Sequence, residues 1–301
     1  MKKKIYLYLC GGLGNQLFQY AAAKNIAIKN NAELNIDTKG GFVTDFRDFW
    51  KFSLSNANLN NVILKKNILV FWLYRILKKL FKLNLVFNNF IFGTLINEMF
   101  VNFFHKEILD FKVKNKLYLF GYFQSEKYFI ENRNTILDEL RPSEPDNKLF
   151  LDMKKIITNC NSVSLGIRLH ETMPQNISHK VGGITSLDFY KKSFTIIINE
   201  IADPVFFLFS TKISNVENFL LNFNEINRYK YFIITEDSGF SGASENLWLM
   251  SHCVNHVISN STLYWWAAYL SSARYKNQKI ICAENFANKD TCLNNWKLYN
   301  N

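Results

Sequence analysis

The sequence predicts an α/β protein of two domains, each a parallel sheet wrapped by helices, and three observations carry that expectation. Its 301 residues exceed what one hydrophobic core usually organises. The second half alternates strand-like and helix-like segments, the signature of a parallel sheet covered on both faces. The chain also opens on an apolar run, a glycine cluster and a helical pattern, in the manner of a βα unit.

Taken in order, Ile5 to Leu9 reads as a strand, and a helix runs through Gln16 to Ala27 after the glycine turn. Residues 40–116 hold Asn- and Phe-rich stretches with no resolvable period, and Leu117 to Phe120 resumes as a strand. At Arg141-Pro142-Ser143-Glu144-Pro145-Asp146, two of the chain's four prolines fall together, which places a linker there and domains at 1–145 and 146–301. Beyond it, Val163 to Ile167 is an apolar strand, Ser186 to Ile201 a helix and Val205 to Phe209 a strand. Ile213, Val216, Phe219, Leu220 and Phe223 share one helical face. Strands at Tyr231 to Thr235, His256 to Ser259 and Lys279 to Ala283 then alternate with helices at Glu245 to Cys253 and Leu263 to Leu270.

Hydrophobic residues at 48% and charged ones at 20% exclude disorder. The five cysteines (Cys10, Cys160, Cys253, Cys282 and Cys292) are odd in number and scattered, so a reducing compartment is expected. Only Ile5 to Cys10 form an apolar run after the basic start, too short for a secretion signal, which points to the cytoplasm. Asn88, Asn89, Asn97, Glu98 and Asn102 interrupt the stretch from Leu85 to Phe104 and argue against a membrane span. The net charge of +11 attracts phosphates of any origin. Its densest concentration, Phe71 to Lys82, interleaves aromatic and aliphatic residues with cations, as in a helix lying on the anionic inner face of the membrane or a helix with a solvated basic face. No nucleic-acid reading motif accompanies the charge, so nucleic acid is not an expected partner.

Three motifs can carry chemistry. Gly11-Gly12-Leu13-Gly14-Asn15-Gln16 opens a helix after a strand, so its amides can approach an anion, although a packing turn has the same spacing. Arg168 follows the Val163 strand at the end where open α/β sheets bind ligands, and its guanidinium suits a diphosphate. Glu171 lies near the same rim as a possible base toward a sugar hydroxyl; an ordinary surface ion pair is the plainer reading of the two. Asn260-Ser261-Thr262 stands where a helix begins, fit either to hold phosphate oxygens or simply to cap the helix. The five histidines (105, 170, 179, 252 and 256) show no metal-ligand spacing and no D-x-D occurs, so neither metal nor cofactor is expected. Nucleophile-elbow and P-loop patterns are absent as well.

Four segments, in order, resemble the bacterial α-1,2-fucosyltransferases: Gly11 to Ala21, Gly121 to Phe129, Val163 to Glu171 and Asn246 to Leu270. The resemblance implies a GT-B fold with a ligand cleft between two Rossmann-like domains, the acceptor mostly on the first and a GDP-sugar mostly on the second. It further implies inversion without a metal, with L-fucose moved from GDP-fucose to a galactoside hydroxyl of a surface glycan, free or lipid-linked. Arg168, Ser261 and Thr262 would then stabilise the leaving diphosphate. In the family's H-x-R-R-x-D frame this chain has Gly166, Arg168, Leu169 and Glu171, retaining one of four positions. Where the family has an acidic partner for guanine stands Asn246, preceded by Glu245. An amide offers a single acceptor atom, so guanine selectivity depends on Glu245. These departures admit another donor such as a colitose nucleotide, or a catalytically silent relative.

Overall fold

A computed structural model describes residues 2–42, 62–65, 76, 87–90, 93–98, 102–168 and 184–299. Glu171 and Leu169 therefore lie outside the described residues, and of the basic segment 71–82 only Ile76 is described. The chain divides into two compact units, Met1–Arg141 and Pro142–Asn301.

The first unit contains β1 (Lys4–Tyr8), α1 (Leu13–Asn30), β2 (Glu33–Asp37), β3 (Val62–Lys65), β4 (Phe87–Phe90), β5 (Gly93–Asn97), α2 (Lys106–Asp110), β6 (Lys116–Phe120) and α3 (Arg133–Glu139). Its sheet runs β3-β2-β1-β6-β5-β4, with β4 alone antiparallel to its neighbour. Strands β3, β4 and β5 fall in the stretch where no period is legible. Asn favours strands poorly, so sequences such as Phe87-Asn88-Asn89-Phe90 take that form through their partners rather than by propensity.

Helix α1 begins at Leu13 rather than Gln16, because the Gly12 carbonyl already accepts the amides of Asn15 and Gln16 (3.0 and 3.1 Å). Asn31, in the left-handed region at φ 48°, ends it by donating its amide to Ala27 and Ile28. The helix is buried almost all round, with Gln16, Gln19, Lys24 and Asn25 inside, so each of these polar groups needs a partner. Gln19 accepts the Cys10 amide at 3.0 Å and donates to its carbonyl at 3.2 Å, while Asn25 donates to the Tyr128 carbonyl. Lys24 Nζ and Tyr20 OH both donate to the Glu139 carboxylate of α3, at 2.7 and 2.6 Å. Burial first, and then this carboxylate, push the Tyr20 phenol far above its ordinary value.

The second unit contains α4 (Lys148–Thr158), β7 (Asn161–Gly166), α5 (Leu187–Glu200), β8 (Pro204–Phe209), α6 (Ile213–Leu221), β9 (Tyr231–Ile234), α7 (Ala243–Met250), β10 (Asn255–Ile258), α8 (Thr262–Ser271), β11 (Ile280–Ala283) and β12 (Lys297–Tyr299). The sheet order is β12-β11-β10-β7-β8-β9, parallel throughout. One face carries Val163, Leu165, Phe206, Leu208 and Val257 against Phe189, Tyr190, Phe194 and Ile197 of α5 and Val216 and Phe219 of α6. Ser186 stands outside α5 as its cap and accepts the Phe189 amide. The order reverses between β7 and β10. That is where an open parallel sheet leaves a crevice beyond its carboxyl ends.

Candidate active site

Both flanks of the β7/β10 reversal carry the residues singled out by sequence. Ile167 and Arg168 follow β7, while Ser259, Asn260 and Ser261 join β10 to α8. The half-buried Arg168 donates from Nη1 to the Asn260 carbonyl at 3.3 Å, which joins the two flanks directly. Asn260 is fixed in turn, its amide donating to the buried Thr185 hydroxyl at 3.3 Å. A tight turn, in which the Ser261 amide reaches the Ser259 carbonyl at 2.6 Å, aims the start of α8 at the crevice.

Ser261 is the N-cap of α8, yet its side chain makes no capping bond. A capping serine would satisfy an amide of the first turn. Since the first turn of a helix has no intrahelical acceptors, the amides of Thr262 and Leu263 and the hydroxyls of Ser261 and Thr262 stay available to an anion. The guanidinium beside them adds a formal positive charge, so the arrangement can seat an anion.

Tyr264 explains the glycine at position 166. Its ring lies on Gly166 so closely that a Cβ there would meet the ring carbons Cδ2, Cε2 and Cγ. Its hydroxyl donates to the carbonyls of Ile167 and Phe209 at 3.3 and 3.2 Å, holding the ends of β7 and β8 together. Tyr190 OH donates to the Gly166 carbonyl at 2.8 Å from the other side, and burial pushes that phenol upward. The volume that a histidine at 166 would need is thus taken by tyrosine. Gly166→Ala should destabilise the second unit by about 1–3 kcal/mol through overpacking, and adding Tyr264→Ala should cancel part of that loss. Urea unfolding of the single and double variants checks both effects.

Glu245 and Asn246 fall in the first turn of α7, which starts at Ala243, two residues earlier than the sequence suggests. The helix follows β9, so its N-terminus sits on the same carboxyl rim of the sheet. Gly242, at φ 100°, lets the Glu245 carboxylate fold back over the chain. Asn246 donates from Nδ2 to the carbonyls of Phe240 and Gly242 at 2.7 and 2.9 Å, which fixes the orientation of its amide. Its Oδ1 is buried and has no hydrogen-bond partner among the described residues.

The glycine motif belongs to the first unit, where it leaves β1 beside β6 at that sheet's own point of reversal. Gly12 is the N-cap of α1, and Gly14, Asn15 and Gln16 lie within the helix. Gln16 is buried and donates to the Gly11 carbonyl at 2.8 Å, bracing the turn from inside. Asn15 accepts from Gln124 Nε2 at 2.9 Å, tying the glycine turn to the Gly121 segment after β6. The structure thus brings Arg168 together with Asn260, Ser261 and Thr262, and Gly12, Gly14, Asn15 and Gln16 with one another.

Among the described residues no cluster of three or more His, Cys, Asp or Glu could hold a metal, and no helix is long and apolar enough to cross a membrane. Burial lowers His252 to about 4 and His256 to about 3. Both rings are neutral at pH 7 and reach backbone carbonyls, at 2.7 Å for His252 to Trp248 and 3.1 Å for His256 to Cys253.

Sequence reasoning missed Tyr264, Thr185 and Glu98. The only sequence signal for Glu98 is a lone acid inside an apolar stretch; for Tyr264 it is an aromatic residue two places after the small polar triplet.

Two Rossmann-like α/β units, each with a reversal in its strand order, give the chain the GT-B fold of many glycosyltransferases. The chain belongs to glycosyl transferase family 11, whose family profile it matches over residues 4–300. It is 28% identical over 274 residues to an alpha-1,2-colitosyltransferase of Escherichia coli, covering 88% of this chain and 86% of the relative. To the O-antigen biosynthesis glycosyltransferase WbnK of Escherichia coli it is 29% identical over 290 residues, covering 89% and 90%. Among solved structures it is similar in fold to an arginine-to-lysine mutant of Arabidopsis thaliana FUT1 in complex with GDP. That match has a TM-score of 0.51 at 11% identity and covers 94% of this chain and 70% of the other.

Proposed function

We propose that this glycosyltransferase inverts the anomeric centre as it moves L-fucose from GDP-fucose to a galactoside hydroxyl of a surface polysaccharide, without a metal or cofactor. The observation that carries the reading is the bond from Arg168 to the Asn260 carbonyl beside the uncapped start of α8. In the reaction the acceptor oxygen forms its bond to the anomeric carbon on the face opposite the diphosphate, while the carbon–oxygen bond to phosphate breaks. Arg168, the Thr262 amide and the hydroxyls of Ser261 and Thr262 take the negative charge that collects on the departing diphosphate. Glu171 is the base that receives the hydroxyl proton. Guanine is recognised at the start of α7, where Glu245 supplies a carboxylate and Asn246 Oδ1 an acceptor still lacking a donor. The basic surface favours an acceptor carried on an anionic membrane.

A second donor, a GDP-activated colitose, is favoured by one observation: a relative matched over most of both chains is named as a colitosyltransferase. Thermal shift with GDP, UDP, CDP and dTDP, followed by turnover of GDP-fucose and GDP-colitose, tests the base and then the sugar. Stabilisation by GDP alone is the expected outcome. Stabilisation by another nucleotide and none by GDP would remove the guanine assignment, and transfer of colitose without fucose would select the second donor.

A further inference from the structure

The first unit holds a buried carboxyl that the reading above does not use. Glu98 follows β5, is 2% exposed, and accepts the amides of Tyr122 and Phe123 on Oε2, at 2.9 and 2.7 Å. Its Oε1 has no hydrogen-bond partner among the described residues. The chain is shaped to admit it. Gly121, at φ 153°, packs so closely on the Glu98 side chain that a Cβ would stand 2.6 Å from the Glu98 Cβ. Phe123 sits in the left-handed region at φ 50°, fully buried, a conformation that costs a non-glycine residue free energy.

Its position matters as much as its burial. The Glu98 amide donates to the Phe120 carbonyl, and the carboxyl reaches the segment leaving β6, which Gln124 ties to Asn15 after β1. A continuous line therefore runs along the carboxyl edge of β5, β6 and β1, ending at the reversal where open sheets take ligands. Tyr122, whose amide bonds the carboxyl, is an aromatic residue left half-buried in that segment. A few fixed polar groups along one sheet edge suit a polyhydroxylated ligand.

We infer that Glu98 Oε1 is the hydrogen-bonding group of a sugar-hydroxyl subsite in the first unit, one that holds the acceptor glycan. The identity of the ligand as the acceptor rests on the transferase reading; the subsite itself rests on the geometry of the first unit. Burial pushes the carboxyl up to about 8 against the pull of its two amide bonds, so at pH 7 it carries a proton. With Oε2 accepting twice, that proton belongs on Oε1, which can then both donate to a sugar hydroxyl and accept from it.

Glu98→Gln separates binding from support. Its amide oxygen keeps both backbone bonds, so the Gly121 segment is retained, while its NH2 can donate but no longer accept. Calorimetric titration with a galactose-terminated oligosaccharide should show binding by the native protein and at least about tenfold weaker binding by the variant, with GDP binding equal in the two. Equal oligosaccharide binding by both proteins, no such binding by the native protein, or parallel loss of GDP binding in the variant would each overturn the inference. Should oligosaccharide binding differ as expected while neither protein binds GDP, the subsite stands and the GDP-donor reading falls.

Discussion

Arg168→Ala should lower transfer from the nucleotide sugar by about 10²–10³-fold in kcat, the usual cost of removing a donor aimed at charge that develops in the transition state. The variant should keep its fold, because the Arg168 bond to the Asn260 carbonyl is one of several fastenings there, alongside Thr185 to the Asn260 amide and Tyr264 to the ends of β7 and β8. Arg168→Lys should fall between the two, since it retains the charge and loses the planar fork. Steady-state kinetics with a circular-dichroism control checks both variants. Turnover within a few-fold of the native protein, fold intact, would show that the leaving group is stabilised elsewhere.

Glu139→Ala is expected to have the largest effect on stability. The carboxylate receives Lys24 and Tyr20 in the interior of the first unit, and the Lys24 and Glu139 side chains are only 9% and 4% exposed. Removing it strands a buried ammonium and a buried phenol, which costs about 3–5 kcal/mol. Replacing both ends of the pair, as in Lys24→Met with Glu139→Leu, should recover much of that loss because no unpaired charge remains. Urea midpoints of the single and double variants measure the difference, and a single variant as stable as the native protein would show that the pair is dispensable.

The second unit was legible in sequence because fully parallel strands are apolar on both faces and stand out as short hydrophobic runs between turns. Val163 to Gly166 and Pro204 to Phe209 are such runs. β12 was not legible, since three residues, Lys297 to Tyr299, are strand only through pairing with β11. In the first unit, Glu33 to Asp37 is polar at alternate positions, yet all but Glu33 are buried, so its pattern misreports its environment. Arg168 and Asn260 to Thr262 were visible because they follow apolar strands at the ligand end of the sheet. Glu98 and Tyr264 were not, since their neighbours in space, Gly121 to Phe123 and Gly166, are distant along the chain. The glycine at 166 looks like a lost side chain in sequence. In the structure it is the space required by the Tyr264 ring.

A crystal structure of the complex with GDP is the most direct measurement of the central claim, that the β7/β10 reversal seats the diphosphate. The account predicts phosphate oxygens within hydrogen-bonding distance of the Arg168 guanidinium, the Ser261 hydroxyl and the amide or hydroxyl of Thr262. A nucleotide whose phosphates lie away from both Arg168 and the start of α8 would contradict it.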